Sequence, residues 1–463
     1  LIAFKAQYIN AMTNPIPTIP RFRTLLSSLR FLRDPLTVIT GNIAQYGHTY
    51  RFYIGGIIPA TFTADPAFIQ HILQKNHRGY VKSPIHFEHL GHFVGKGLLT
   101  IDGDHWLRQR RLIQPSFHRS RLASLTELMN GVIAERLEKF EQETQQGPVN
   151  VAEYMMDMAF NIIMRSIFSV TVPEEQVRKM SNQITQIQAF VIQLIRQPYL
   201  NWWRHLSGLM KQHEQIAADL DQAILDLVHQ RQASGEQRDD LLQMLLDSRY
   251  EDTGEAMSEQ QLLDELKIIF VAGHETSANG LAWAWYILSQ NPEAVAKIRA
   301  ELDAAVGDRV PAFEDLPKLE YLSQVVDEVL RMYPPAWITD RMAAEDDDYN
   351  GIKIAKGAIV ATYIYGAHHS PEHWDEPNAF KPERFDKGTK IAPFAYLPFG
   401  GGPRLCIGNH FALMEMQLVI AEMTRRYDFA LEPGHEVVPQ PLITLRPKNG
   451  IWMRFWKRKV AAN

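Results

Sequence analysis

A mainly α-helical protein with a minor β part is the expectation from this chain of 463 residues. Helical periodicity runs almost unbroken from about 104 to 335, while strand signals are confined to short stretches near 40–72 and 346–365. No repeat, low-complexity tract or linker divides the text, and 46% hydrophobic with 22% charged residues is an ordinary globular balance. The division expected is a lead segment at 1–34 and a single domain at 35–463.

Taken in order, NPIPTIPRF at 14–22 would suit a hinge after an upstream anchor. HTYRFYIGG and IIPATFT read as strands around a Gly55-Gly56 turn. Helices are expected near 104–114, 119–145, 151–169, 174–195, 210–232, 238–248, 258–290, 292–306 and 319–332. Asn350-Gly351 and Lys356-Gly357 supply turn chemistry around IKI and AIVATYIY. A loop-rich segment at 368–405, a helix at 408–426 and strand-like pieces complete the chain.

Bulk properties exclude several functions. A net charge of −5 gives no global attraction to nucleic acid, and none is expected as a partner. No stretch approaches the ~20 apolar residues that span a bilayer, and LIAFKAQYINAM is too short and polar for a signal peptide. The protein therefore reads as cytoplasmic and monomeric, although a chain that opens on Leu1 leaves an upstream membrane anchor open. With one cysteine, an internal disulfide and a multi-cysteine zinc or iron–sulfur site are both impossible. Cys406 is either a small buried apolar residue or a lone functional thiolate.

Its neighbourhood, FGGGPRLCIG at 399–408, decides between these. Three successive glycines let a flat group approach the main chain, and amides near Gly408 can donate to the sulfur. Arg404 offers a planar fork for a carboxylate, and a helix beginning after Gly408 puts its positive end near the sulfur. Together these favour a stabilised anion at 406.

The stretch resembles the haem signature of the cytochrome P-450 superfamily, Phe-x-x-Gly-x-Arg-x-Cys-x-Gly, with Phe399, Gly402, Arg404, Cys406 and Gly408 in its fixed places. Further motifs follow in the family's order: AGHETS at 272–277, then EVLR with Glu328 and Arg331, then FKPERF with Arg384. The resemblance covers roughly residue 35 to the C-terminus. It implies the P-450 fold, with haem b buried between a long central helix and the loop of its axial ligand Cys406. It also implies monooxygenation of an apolar small molecule by O2, with electrons from a separate ferredoxin or flavodoxin and its NAD(P)H reductase.

The other motifs are weighed against plainer readings. The segment 258–290 suggests a helix of about thirty residues, ~45 Å long, interrupted at mid-length by Glu275 and Thr276. The Thr276 hydroxyl can bond back to a carbonyl one turn earlier. By resemblance Thr276 serves oxygen activation and Glu275 helps relay protons, against the alternative of a polar pair merely satisfied in the core. Glu328, Arg331 and Arg384 would form a structural network bracing the cysteine loop. Trp106 and Arg110 in WLRQRR, with Arg341 and Arg404, would meet the haem propionates; Phe399 joins them as a cofactor-binding residue. Pocket walls are expected from Leu98, Leu99, 185–210, Ala272, 335–339 and Leu442–Thr444.

His105, His368 and His369 are not expected to be ligands, since a second axial ligand would block oxygen chemistry. The run Arg108, Arg111, Arg119 and Arg121 suits an acidic electron donor or is a solvated face. The chain holds no GxGxxG fingerprint, so reducing equivalents must come from outside. Two rivals stay open: a peroxide-driven peroxygenase, and a non-enzymatic haem sensor or electron carrier. The pairing of Glu275 with Thr276 speaks against both.

Overall fold

A computed structural model describes residues 16–54, 58–169 and 173–458. Its long helices are α1 (Arg21–Arg33), α2 (Pro35–Tyr46), α3 (Gly103–Ile113), α4 (Arg119–Thr144), α5 (Val151–Phe168), α6 (Glu174–Arg196), α7 (Leu209–Ser234), α8 (Glu259–Gln290), α9 (Pro292–Ala305), α10 (Glu320–Met332) and α11 (Asn409–Arg426). From α3 onward each lies within two residues of its expected position. The periodicity there reports real burial, because apolar residues on those helices make one continuous core.

Helix α8 is the axis of that core. Ser258 caps its start by accepting from the Gln261 amide, and the helix then runs 32 residues without a break. It packs along α5 and against α10 and α11, with Trp283 and Trp285 fully buried.

Among the described residues the largest sheet is mixed and has five strands, with three smaller sheets besides: β1 (Thr49–Ile54), β2 (Ile58–Thr63), β3 (Tyr80–Val81), β4 (Thr339–Ala343) and β5 (Ile359–Thr362) make up the large one, in the spatial order β1-β2-β5-β4-β3. Only β2 and β5 run parallel, with Ala60 opposite Ile359; β4 lies antiparallel to β5, with Thr339 opposite Thr362. A second core of Ile39, Tyr50, Phe52, Phe62 and Trp337 lies between this sheet and the N-terminal helices.

The two short strands expected within 40–72, HTYRFYIGG and IIPATFT, are β1 and β2, but the interval opens on helix rather than strand. Residues 35–46 are helix α2, because Asp34 accepts from the Thr37 amide and Pro35 takes the first helical position. Asp65 and Pro66 repeat that arrangement at the short helix Pro66–Gln70. Within 346–365, Ile364–His368 is likewise helical. The Gly55-Gly56 turn and residues 1–15 of the lead segment lie outside the described residues. Among the described residues, no helix is long and apolar enough to cross a membrane.

Candidate active site

Between residues 262 and 285, α8 is buried on every side with one exception. Ile269, Ala272, Gly273 and Thr276 are only half-buried at the middle of a core helix. Their i, i+3, i+4, i+7 spacing puts them on one face, so that face borders a space inside the molecule. Thr276 Oγ1 donates to the Ala272 carbonyl at 2.7 Å, the back-bond expected of it. Glu275 points elsewhere: it is buried, Thr444 Oγ1 donates to its Oε1 at 2.6 Å, and its Oε2 has no partner. The acid and the hydroxyl are therefore neighbours in sequence that serve different surroundings.

The Cys406 loop is shaped by its glycines. Gly402 has φ 67°, and a Cβ there would stand 2.0 Å from the Leu73 carbonyl oxygen, so no other residue fits. The Cys406 amide donates to the Phe399 carbonyl at 3.0 Å, closing the loop, and α11 starts directly after Gly408. Cys406 is exposed by surface area, yet enough protein surrounds it that burial raises its thiol pKa. Both hold for a side chain facing an internal space. The Gly408 N–H and the Arg110 charge act in the opposite direction and favour the thiolate. Arg110 Nη1 also donates to the Leu405 carbonyl at 2.9 Å, placing this arginine against the cysteine loop.

Cations gather beside this loop. Arg404 pairs with Asp102 at 2.5 Å, donates to the His77 and Tyr80 carbonyls, and lies 5.4 Å from the Trp106 ring centroid. Arg341 on β4 is buried, and burial and then Arg404 lower its pKa to about 10. Lys82 is buried too; burial lowers its pKa to about 7, and Arg341 and Arg404 add to that. Asp102 relieves the crowding: burial opposes its charge, but the Lys82 amide and Arg404 hold its carboxyl below the usual range. The Nε atoms of Arg341 and Arg404 are buried without partners. This cluster still has cationic hydrogen-bonding capacity to spend on an anion.

Comparison with known proteins bears on the whole chain. The family described as Cytochrome P450 matches residues 15–453. The chain belongs to that family. It is 33% identical over 400 residues to a putative cytochrome P450 132 of Mycobacterium tuberculosis, covering 83% of this chain and 85% of that one. It is 30% identical to a cyclooctatin synthase of Streptomyces melanosporofaciens, with 90% of each chain covered, and 30% identical to a cytokinin hydroxylase of Arabidopsis thaliana, with 88% and 80% covered. The protein is thus a cytochrome P450 monooxygenase, an oxidoreductase of haem-thiolate chemistry that uses O2, a redox partner and a lipophilic substrate.

The residues present suit the haem of a P450. Two unpartnered guanidinium Nε atoms and a buried lysine would suit its pair of carboxylates, and the Cys406 thiol would suit a thiolate ligand to its iron. Behind the loop, Arg331 forks onto Glu328 at 2.6 and 2.8 Å, both fully buried, and Arg384 reaches the same carboxylate at 3.3 Å. His368 joins the two halves of this scaffold. Its Nδ1 meets the Arg331 carbonyl at 3.1 Å, while its Nε2 accepts the Leu397 amide at 2.9 Å. The expected wall segments 335–339 and 442–444 also meet, since Trp337 Nε1 donates to the Leu442 carbonyl at 3.0 Å.

Three contributors escape sequence reasoning. Asp102 is legible as a helix cap but not as the partner of Arg404, 302 positions away. Lys82 carries no local signal, and Thr444, expected as a pocket wall, gives no hint in sequence of its bond to Glu275. The donor patch is also less free than expected. Arg108 lies over the Tyr250 ring at 3.9 Å and pairs with Asp252 at 3.1 Å, and Arg121 is 3.7 Å from Asp239. Arg111 is exposed, with no ion pair among the described residues, and the side chain of Arg119 lies outside them.

Proposed function

We propose that Cys406 is the thiolate ligand of haem b and that the enzyme hydroxylates or epoxidises a lipophilic, fatty acid-like molecule. The observation that carries this is the setting of the only cysteine in the chain: it faces an internal space, on a glycine-shaped loop beside cations with unpaired Nε atoms. Haem held there supplies oxygen activation, and its thiolate ligand favours O–O cleavage.

The chain's own residues divide the remaining work. Arg341, Arg404 and Trp106 orient the propionate edge, with Lys82 adding positive charge. Arg110 lies against the Leu405 carbonyl and stabilises the thiolate. Thr276 Oγ1, while donating to Ala272, keeps lone pairs that can accept a hydrogen bond from the internal space. Glu275 Oε2, buried and unpartnered, is the carboxylate atom free to take up and pass on a proton. Apolar walls at Leu98, Leu99, Leu442 and Ile443 exclude bulk water. Electrons come from a separate ferredoxin or flavodoxin, for which Arg111 is the exposed contact.

The pairing of Glu275 with Thr276 supports O2-driven over peroxide-driven turnover. The named relatives, a cyclooctatin synthase and a cytokinin hydroxylase, do not converge on one substrate. The deciding experiment is the absorption spectrum of the reduced, CO-bound protein, joined to a screen of fatty acids, terpenes and steroids for a spin-state shift. The expected result is a thiolate-type band in the wild type and its loss in Cys406→Ala. A variant that kept both the band and monooxygenation would overturn the assignment.

A further inference from the structure

The segment Gly95–Ile101 lies between α8 and the cysteine loop, and polar contacts hold it on both sides. From α8, Asp264 Oδ2 accepts the Lys96 amide at 2.9 Å and Glu265 Oε2 accepts the Leu98 amide at 3.0 Å. Gln261 Nε2 donates both to the Lys96 carbonyl and to Glu265 Oε1, at 2.9 and 3.0 Å. On the other side Lys82 Nζ donates to the carbonyls of Leu98 and Ile101, at 2.5 and 2.7 Å. The Lys82 amide itself donates to Asp102, the partner of Arg404. Leu98 thus has its N–H held by a carboxylate and its C=O by an ammonium group. A chain of direct contacts runs from α8 through Leu98, Lys82 and Asp102 to the loop of Cys406.

The fit has no slack. A Cβ at Gly97 would come 2.7 Å from Glu265 Oε2, and one at Gly95, where φ is 85°, would come 2.2 Å from Asp264 Oδ1. Leu98 and Leu99 are half-buried apolar residues between buried Gly97 and buried Thr100. Glu265 stands one helical turn before Ile269, where the internal face of α8 begins. Burial raises the Glu265 pKa to about 7 and lowers that of Lys82 to about 7, each charge partly supporting the other. Burying two such groups is a costly way to gain stability, and their direct bonds to Leu98 fix the geometry of that residue.

We propose that Glu265 and Lys82 are positioning residues for substrate recognition: between them they fix the Leu98–Leu99 wall and tie it to Arg404, setting the width of the substrate space from outside it. This rests on the reading of that space as the substrate site beside Cys406.

The test uses the haem-loaded full chain with two probes, imidazole and 4-phenylimidazole, titrated by absorption, together with hydrogen exchange over 95–101. For Glu265→Ala, the ratio of the two dissociation constants should change fivefold or more, and the Leu98–Leu99 amides should exchange at least tenfold faster. Glu265→Gln keeps an acceptor oxygen and should stay within twofold of wild type in both readings. If Glu265→Ala yields too little holoprotein, Gly97→Ala should give the same change in ratio, because its Cβ would crowd the Glu265 carboxylate and displace the segment without removing a charge. Faster exchange with an unchanged ratio, or no change in exchange, would overturn the proposal. A wild type with no thiolate-type spectrum would instead overturn the reading on which it rests.

Discussion

Thr444 donates its hydroxyl to Glu275 Oε1 at 2.6 Å, and Asn279, one turn beyond Glu275 on α8, donates to the same threonine at 3.1 Å. The acid of the central helix is therefore tethered by a turn near the C-terminus of the chain. Thr444→Val should leave Glu275 without its donor, at a cost of about 1–3 kcal/mol in stability. Turnover should fall and the solvent isotope effect on it should rise, since proton delivery becomes slower. An unchanged isotope effect would show that the tether has no part in proton movement.

Thr276→Ala removes a hydroxyl whose partner in this structure is its own helix. Stability should change by less than about 1 kcal/mol, and the ferric spectrum should stay as in the wild type. Coupling is where the loss should fall: NAD(P)H consumption continues while peroxide replaces product. Peroxide yield per NAD(P)H decides it, and wild-type coupling would remove Thr276 from oxygen activation.

Glu328 is fully buried between Arg331 and Arg384. Glu328→Ala strands a buried guanidinium and should cost about 3–5 kcal/mol, enough to deplete folded protein. Urea midpoints should drop accordingly, with haem retention falling in parallel as the cysteine loop loses its brace.

Glu415 on α11 sits fully buried beside Ser277, and burial raises its carboxyl to about 8 from 4.5. A raised carboxyl pKa means that the folded state binds the proton more tightly than the unfolded state. Stability should therefore fall as pH rises between roughly 4.5 and 8, at up to about 1.4 kcal/mol per pH unit. Glu415→Gln should flatten that slope in denaturation curves taken across the interval.

Arg111 is exposed on α3 with no ion pair among the described residues and is the proposed contact for a redox partner. Arg111→Glu should slow donor-dependent turnover, most at low ionic strength, because salt screens such charges within ~8–10 Å. Peroxide-driven turnover bypasses the donor and should be unaffected. Equal loss in both assays would indicate structural damage.

The sequence exposes these parts unequally. Helices α3 to α11 were legible because each buries a periodic apolar stripe, and the cysteine loop because three glycines in a row have few other uses. Helix α2 was missed where Asp34 and Pro35 announce a helix start amid residues of strand character. The partners of the site lie beyond any local signal. Asp102 meets Arg404, Lys82 meets Leu98, and Thr444 meets Glu275 only because the fold brings distant segments together. WLRQRR placed Trp106 and Arg110 on one face as expected partners of the propionates. The structure sends Arg110 to the Leu405 carbonyl and leaves Trp106 beside Arg404.

Having only one sulfhydryl gives this enzyme a built-in tally. Within this sequence a thiol reagent can attach only at Cys406, and under the ligation proposed above an iron-bound thiolate would be masked from it. The stoichiometry of labelling under native conditions would then count the molecules that lack cofactor, one sulfur for each. Any cysteine placed elsewhere for a fluorophore or spin label would be read against a silent background in fully loaded protein.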